Sequence, residues 1–276
     1  MFGAKLNHET RFFIASGESG KYELSGIESI DLSHQASTSV VKPLGTRKGV
    51  TTIGGAVEQN LSISRSLIYN DPVLDFTGDV VSNGMSASIL YDNKTYGFHS
   101  GYLTNYSVSC AVGSIPKVNA SFKIFSEMKS GITAAGSSSV AHPDIFIPSQ
   151  GSISLTCDNG YHDVSTLNRV VGFDYAISCK RKPIFTLGRS SPFKVHYVPP
   201  LEYSASVQVE VDDTMMQSGF NLLTGRENRD LTFTINGRNG NSLQSLTVPK
   251  ASLVSEQLNS TADGVLKLTF NYIGHS

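Results

Sequence analysis

The residues of this chain that could do chemistry include seven histidines and several neighbouring carboxylates. No two histidines show the i, i+4 spacing of a zinc site on a helix, and none lies at zinc-finger spacing from a cysteine. His142 and His162 each lie close to an aspartate, Asp144 and Asp163 respectively. Such pairs can form a metal site or a general base, but in loops they are usually solvated polar groups. We therefore expect no metal site and no cofactor.

Paired carboxylates would suit glycoside hydrolysis, and the candidates are Asp212 with Asp213 and Asp71 with Asp75. The sequence does not bring either pair to face its partner across a cleft. Gly17–Gly20 lacks the spacing of a nucleophile elbow, and no glycine-rich loop precedes a lysine and a helix. The sequence thus predicts no catalytic set, and we do not expect an enzyme.

Three cysteines, Cys110, Cys157 and Cys179, lie in apolar runs typical of strands. Their odd number and the absence of Cys-x-x-Cys spacing favour reduced, buried thiols and folding in a reducing cytoplasm. Cys110 or Cys179 with a distant histidine would be a nucleophile pair, but core packing is the favoured interpretation. No signal peptide or membrane-spanning stretch is predicted.

One basic cluster, Arg181, Lys182, Arg189 and Lys194, is interleaved with Phe185, Phe193, His196 and Tyr197. Basic and aromatic side chains together can hold single-stranded nucleic acid. The whole chain has a net charge of −1, so no general basic field attracts nucleic acid. We therefore favour a contact patch for another protein.

The elements that would position these residues show an internal repeat. Tyr106–Cys110 aligns with Tyr175–Cys179 at a shift of 69 residues, and Ser88–Asn93 aligns with Ser154–Asn159 at a shift of 66. Downstream the shift grows to 83, so the second copy carries an insertion. Matching blocks in the same order indicate a duplicated β unit. Chance similarity between strands rich in serine and valine is the alternative.

Alternation of apolar and polar residues predicts an all-β protein of two related β-sandwich or barrel domains, in a chain of 276 residues. The predicted division is a first unit at 1–130, a linker at 131–150 and a second unit at 151–276. A long arm or hairpin is expected at about 33–56, and short helices at 218–226 and 249–258. Charged residues make up only 16% of the chain, so polar edge strands with few protecting lysines indicate assembly with neighbours.

The order of several segments resembles that of tail tube (major tail) proteins of tailed bacteriophages. The likeness covers most of residues 22–210, and residues 211–276 add nothing to it. The segments that carry it are Gly26–Leu32, Leu44–Gly45, Leu61–Ile68, Asn70–Gly78, Gly101–Val108, Val112–Pro116 and Arg181–Gly188.

The resemblance implies a structural virion protein, assembled in the host cytoplasm, whose stacked rings form the tail tube that conducts DNA. It implies hexameric rings, or trimeric rings in which two units per chain give pseudo-hexameric symmetry. Other tail proteins would be partners, DNA would pass without sequence-specific binding, and no membrane would be involved. The expected subunit-interface residues are Lys42, Pro43, Leu44, Gly45, Arg47 and Lys48 in the arm, and Arg181, Lys182, Phe185 and Arg189 in the second unit.

Two expectations remain open at this point. A lumen should repel DNA phosphates, yet a net charge of −1 predicts no acidic face. The alternative function is a baseplate- or fibre-associated β-sandwich module that binds protein or surface glycan. That module would need exposed aromatic residues along a groove, and the candidates are Tyr96, Phe98 and Tyr102.

Overall fold

The computed structural model of the chain describes residues 10–16, 21–35, 38–41, 50–53, 58–68, 70–77, 84–91, 94–133, 153–157, 170–211, 229–236, 242–260 and 265–276. These residues form eighteen strands. The first ten are β1 Arg11–Ser16, β2 Lys21–Leu24, β3 Ile27–Gln35, β4 Thr38–Val41, β5 Val50–Ile53, β6 Glu58–Ser66, β7 Met85–Tyr91, β8 Lys94–Ala111, β9 Lys117–Ile124 and β10 Lys129–Ser130. The remaining eight are β11 Ile153–Cys157, β12 Val170–Ser178, β13 Arg181–Ile184, β14 Lys194–Tyr197, β15 Glu202–Glu210, β16 Arg229–Asn236, β17 Ser242–Asn259 and β18 Lys267–His275.

The predicted all-β class is confirmed. In β9 the residues Val118, Ala120, Phe122 and Ile124 are buried, while Lys117, Asn119 and Lys123 are exposed. This two-residue period is the one that a half-buried strand requires. The same alternation runs through β15, where Ala205, Val207 and Val209 are buried.

Eight strands form one continuous antiparallel sheet in the order β3-β6-β9-β8-β12-β15-β18-β17. We call it the broad sheet. Its centre is the C-terminal part of β8, where residues 105–109 pair with β9 on one side and with β12 on the other. The predicted first and second units therefore contribute four strands each to the same sheet.

Two long strands of 18 residues, β8 and β17, leave the broad sheet and enter smaller sheets. The N-terminal part of β8 pairs with β7, which continues to β1 and β2. The N-terminal part of β17 pairs with β16, which continues to β11. One core cluster combines buried side chains of the broad and smaller sheets, and Phe173 of β12 stacks on Phe233 of β16 at 5.2 Å between ring centroids.

The helix expected at 249–258 is wrong, because these residues lie in β17. Leu253, Val254 and Leu258 do have helical spacing, but Val254 and Leu258 are exposed, so the pattern marks no buried helix face. Pairing with β18, across an irregularity between Leu253 and Ser255, decides the conformation. Local propensity gives way here to long-range hydrogen bonding. The other expected helix, at 218–226, lies outside the described residues.

The helical segment that the structure does describe is a single 3-10 turn at Pro72–Phe76. Asp71 caps it, because its Oδ1 accepts a hydrogen bond from the backbone N–H of Val73 at 2.9 Å. Proline at the first position suits such a start, since the missing N–H would have had no helical partner.

The arm expected at about 33–56 contains a hairpin, because β4 and β5 pair with each other in a separate two-stranded sheet. The loop between them, residues 42–49, lies outside the described residues. Most of the predicted linker, residues 134–150, also lies outside them. The division of the chain into two domains stays a prediction.

Candidate assembly surface

The repeated motif places its two copies side by side. In the pairing of β8 with β12, Ser107 lies opposite Ala176, Tyr106 opposite Ile177 and Val108 opposite Tyr175. Since Ser107 and Ala176 hold the same place in the two copies, the motif pairs with itself about a local two-fold axis. The neighbouring strands obey the same axis, because β9 places Asn119 opposite Ser107 and β15 places Ser204 opposite Ala176.

The broad sheet has two open edges within the described part of the chain. One edge is β3, which pairs only with β6, and the other is residues 252–259 of β17, which pair only with β18. An open edge presents a row of backbone donors and acceptors to any strand that can reach it. These edges are therefore sites at which another chain can extend the sheet.

The outward face of the broad sheet is mostly polar and neutral, although the exposed Ile273 also lies on it. Its side chains include Ser62, Asn105, Ser107, Asn119, Ser121, Ala176, Ser204, Gln208, Thr269, Asn271, Ser255 and Gln257. Hydrogen bonds link some of them across strands, for example from Asn271 Nδ2 to Ser255 Oγ at 2.9 Å. No single chemical group dominates this face.

Ion pairs neutralise most charges of that face. Lys117 Nζ donates to Glu28 Oε2 at 2.8 Å, and this bond, with a weaker contribution from Ser66, lowers the pKa of the Glu28 carboxyl. Lys180 pairs with Glu202 and lowers the pKa of that carboxyl in the same way. Among the described residues, Asp31, Asp174, Glu210 and Lys267 lie on this face without a salt bridge, and burial raises the pKa of Asp174. The face is therefore neutral to weakly acidic.

A second two-stranded sheet, formed by β13 and β14, starts where β12 ends. We call residues 181–197 the hairpin. Arg181 fixes its base, since the guanidinium donates to the carbonyl oxygens of Leu103 at 3.3 Å and Phe76 at 3.1 Å. The same guanidinium lies 5.4 Å from the centre of the Tyr197 ring. Arg181 thus acts within its own chain.

The far end of the hairpin is apolar and exposed. Leu187 has a relative exposure of 105% and Phe193 of 65%. Phe185 is partly covered, because its ring packs edge-to-face against the ring of Phe125, with 6.4 Å between the ring centroids. Exposed apolar groups of this size at the end of an anchored hairpin indicate a contact surface.

The structure describes some of the predicted interface residues and not others. Lys42, Pro43, Leu44, Gly45, Arg47 and Lys48 lie outside the described residues. Lys182 and Arg189 are exposed, and the Arg189 guanidinium lies over the ring of Phe193. Leu187 and the two sheet edges are not among the interface residues predicted from the sequence. The absence of Asp and Glu from residues 180–200 is the signal that marks this segment in the sequence.

A buried polar cluster joins the two halves of the chain. Arg65 and Asp71 form an ion pair at 2.7 Å with both side chains almost fully buried. Tyr106 donates from its hydroxyl to Asp71 Oδ2 at 3.0 Å, and Gln244 accepts from the Asp71 backbone N–H at 2.8 Å. Burial, followed by the neighbouring carboxylate, raises the pKa of Tyr106 well above its usual range. Asp71 therefore holds structure together, and it does not face Asp75 across a cleft.

The prediction of buried thiols is confirmed for two cysteines, Cys110 and Cys179, which are free and buried. Burial raises the pKa of each thiol to about 11. A protonated thiol inside the core is a poor nucleophile, so core packing is the role that fits both residues. The side chain of Cys157 lies outside the described residues.

The aromatic residues proposed for a glycan groove do not line one. Phe98 and Tyr102 are buried, and of the three candidates only Tyr96 is exposed. Phe98 belongs to the main core, and Tyr102 packs with Phe125 and Val195 beneath the hairpin. The expectation of an exposed aromatic groove at these positions is wrong.

Among the described residues no group of three or more His, Cys, Asp and Glu side chains is placed to hold a metal ion. No helix in that part of the chain is long and apolar enough to cross a membrane.

Comparison with known protein families found no matching family model, and comparison with curated proteins found no match.

Proposed function

We propose that this chain is the tail tube protein of a tailed bacteriophage, a structural virion protein whose rings stack into the conduit for DNA. The observation that carries the proposal is the broad sheet, built from two related halves about a local two-fold axis and open at both edges. Such a sheet can continue from one copy to the next without any change in the fold.

The directions of the two edge strands support a closed ring. β3 runs antiparallel to β6 and β17 runs antiparallel to β18, in a sheet whose strand pairs are all antiparallel. Because six strands lie between the two edge strands, β17 runs opposite to β3. Residues 252–259 of one copy can therefore pair with β3 of the next as an antiparallel pair. A contact between two different surfaces gives a ring when the rotation closes.

Two related halves per chain give each ring twice as many units as copies. Three copies would supply six related units, which is the pseudo-hexameric arrangement, and six copies would supply twelve. The axis through Ser107 and Ala176 relates the halves within one sheet. Because this axis is perpendicular to the strands, the six units of a trimeric ring would alternate in direction around the ring, and this is the arrangement that we favour.

The polar outward face fits a lumen through which DNA slides. Serine, asparagine and glutamine side chains provide no cationic groups for the phosphates. Lys117 and Lys123 are paired with Glu28 and Glu58, and Lys267 lies directly opposite Glu210 on the neighbouring strand. The carboxylates of Asp31 and Asp174 add weak repulsion. This face offers the neutral to acidic surface that the net charge alone did not predict.

Electron microscopy of the purified protein tests the proposal. We expect rings, or tubes of uniform diameter, when the protein is concentrated at neutral pH. Light scattering measured on the same samples should give a mass that is a multiple of three chains. A monodisperse monomer at high concentration would contradict the proposal.

A further inference from the structure

We propose that β3 of one copy pairs with residues 255–259 of β17 in the next copy in one defined register, in which Leu32 lies opposite Leu258 and His34 lies opposite Glu256. This inference rests on the proposed ring. It assigns the register and the side-chain pairs of the contact between neighbouring copies within that ring.

The first step is to find which backbone groups of β3 are open. Immediately after β6, the Leu67 N–H donates to the carbonyl oxygen of Pro116 next to β9, so the odd-numbered residues of β6 bond to β9. The even-numbered residues of β6 bond to β3, where their partners over residues 29–35 are odd-numbered. The even-numbered residues of β3, which include Leu32 and His34, therefore direct their N–H and C=O groups away from β6.

The same reasoning applies to the edge formed by β17. The Val211 N–H donates to the Leu266 carbonyl oxygen at 2.9 Å, so the even-numbered residues along β18 bond to β15. The odd-numbered residues of β18 bond to β17, where their partners over residues 255–259 are also odd-numbered. Glu256 and Leu258 therefore direct their backbone groups away from β18. In an antiparallel pair, two such residues placed opposite each other exchange two hydrogen bonds.

The faces of the sheet and its irregularities leave two registers. Residues that lie directly opposite each other have side chains on the same face, and a slip of one residue would turn core-side chains outward. β3 is regular over residues 29–35 and β17 over residues 255–259, and an irregularity precedes each stretch. Full pairing of these regular stretches places 255–259 opposite either 31–35 or 29–33.

Two exposed leucines favour the first register. Leu32 has a relative exposure of 41% and Leu258 of 50%, and they lie directly opposite the buried Leu61 and Leu268 on the core side of the sheet. With 255–259 opposite 31–35, Leu32 meets Leu258, and a row of four leucines crosses the boundary between copies. Burial of the two exposed leucines against each other would stabilise the contact.

The neighbouring pair on the same face favours the same register. There His34 lies opposite Glu256, and an imidazole beside a carboxylate on one face of a sheet is a favourable cross-strand pair. In the other register, with 255–259 opposite 29–33, Glu256 would instead lie against Leu32. That arrangement would place a carboxylate against an apolar side chain and reduce its contact with water.

A disulfide scan across the contact tests the register. Ser33→Cys is combined in turn with Ser255→Cys, Gln257→Cys and Asn259→Cys, four positions that are exposed on the outward face. In the proposed register Ser33 lies opposite Gln257 in a pair without backbone hydrogen bonds, with Cα atoms about 4.5 Å apart. Ser255 and Asn259 lie on the diagonals, at about 7–8 Å. Only the first distance is within reach of a disulfide.

The scan is carried out in a background with Cys157→Ser, in which Cys110 and Cys179 remain buried. After assembly and oxidation with copper phenanthroline, Ser33→Cys with Gln257→Cys should give covalent multimers in non-reducing denaturing gels. The two diagonal pairs are the matched controls and should give about tenfold fewer multimers. Because β3 and β17 lie at opposite edges of the broad sheet, such a bond joins two copies.

The outcomes separate the register from the function. Rings with multimers mainly from the Gln257→Cys pair support the inference. Rings whose multimers come mainly from the Ser255→Cys or Asn259→Cys pair, come equally from all pairs or do not form overturn the inference and leave the proposed function standing. Failure of the Cys157→Ser protein itself to form rings overturns the proposed function, and the inference with it.

A charge exchange provides a second test that needs no cysteine. His34→Glu places two carboxylates opposite each other in the proposed register, so it should weaken ring assembly about tenfold. Adding Glu256→Lys should restore assembly, and Glu256→Lys alone is the control. Light scattering over a range of protein concentrations measures the change. Unchanged assembly of the His34→Glu protein, or no recovery in the double variant, would count against the pair of His34 with Glu256.

Discussion

Ser107 lies directly opposite Ala176 in the broad sheet, and the two residues occupy the same position in the repeated motif. A strand pair in which a residue meets its own counterpart is centred on a two-fold axis. The two copies of the motif are therefore related by a two-fold axis within one sheet. Each half keeps one free edge, β3 or β17, at which assembly can continue.

The first prediction concerns the edge strand β3. Asp31→Pro and Leu32→Pro place a proline at adjacent positions, whose backbone N–H groups point to opposite sides of the strand. The variant that removes the N–H pointing away from β6 should keep the fold, because no bond within the chain is lost. It should nevertheless lose ring assembly. The other removes a bond to β6 and should be destabilised. Circular dichroism with light scattering distinguishes these results, and normal rings from both variants would exclude β3 as an assembly edge.

A second prediction concerns the base of the hairpin. Arg181→Ala removes charge-assisted hydrogen bonds to the backbone of Leu103 and Phe76, so it should lower the free energy of unfolding by about 1.5–3 kcal/mol. Urea denaturation measures the change. The matched control is Arg189→Ala, which loses only an exposed contact with Phe193 and should cost less than about 1 kcal/mol. Equal effects would contradict the anchoring role of Arg181.

The third prediction concerns the buried ion pair. Asp71→Asn leaves Arg65 charged and buried without its counterion, so we expect a loss of about 3–5 kcal/mol in the free energy of unfolding. Asp75→Asn is the control, because Asp75 is exposed on the same 3-10 turn and its replacement should change stability by less than about 0.5 kcal/mol. Thermal and urea denaturation would show an unchanged Asp71→Asn protein if the pair were unimportant.

The fourth prediction concerns alkaline pH. The folded-state pKa of Cys110 and Cys179 is about 11, above the value of about 8.5 expected in the unfolded chain. Stability from these protonated thiols is fully present below about pH 8.5 and is lost as the pH rises through about 11. Replacing both cysteines by alanine should make the free energy of unfolding fall less steeply between about pH 8.5 and about pH 11.

Thiol accessibility provides an independent check of the same burial. In a Cys157→Ser background, a thiol reagent at pH 8 should label the native protein at least tenfold more slowly than the urea-unfolded protein. Equal rates would show that Cys110 and Cys179 are open to solvent.

The sequence by itself determined the all-β class and most strand positions, because alternation with a period of two is a local signal. The similarity of Tyr106–Cys110 to Tyr175–Cys179 is equally local, and the duplication that it indicates stays a prediction. The sequence also determined the burial of Cys110 and Cys179, since both end apolar strand segments. It marked the segment around Arg181 as basic and aromatic. These properties depend on residue type and spacing along one short stretch.

The tertiary structure decided how these pieces combine. Only pairing between distant strands could show that β8 and β12 adjoin, that 249–258 is strand, and that Arg181 bonds to its own chain while Leu187 stays exposed. The ion pair of Arg65 with Asp71 and its link to Gln244 likewise depend on contacts between residues far apart in sequence. Strand partners are chosen by long-range packing and hydrogen bonding, and no short-range pattern encodes that choice.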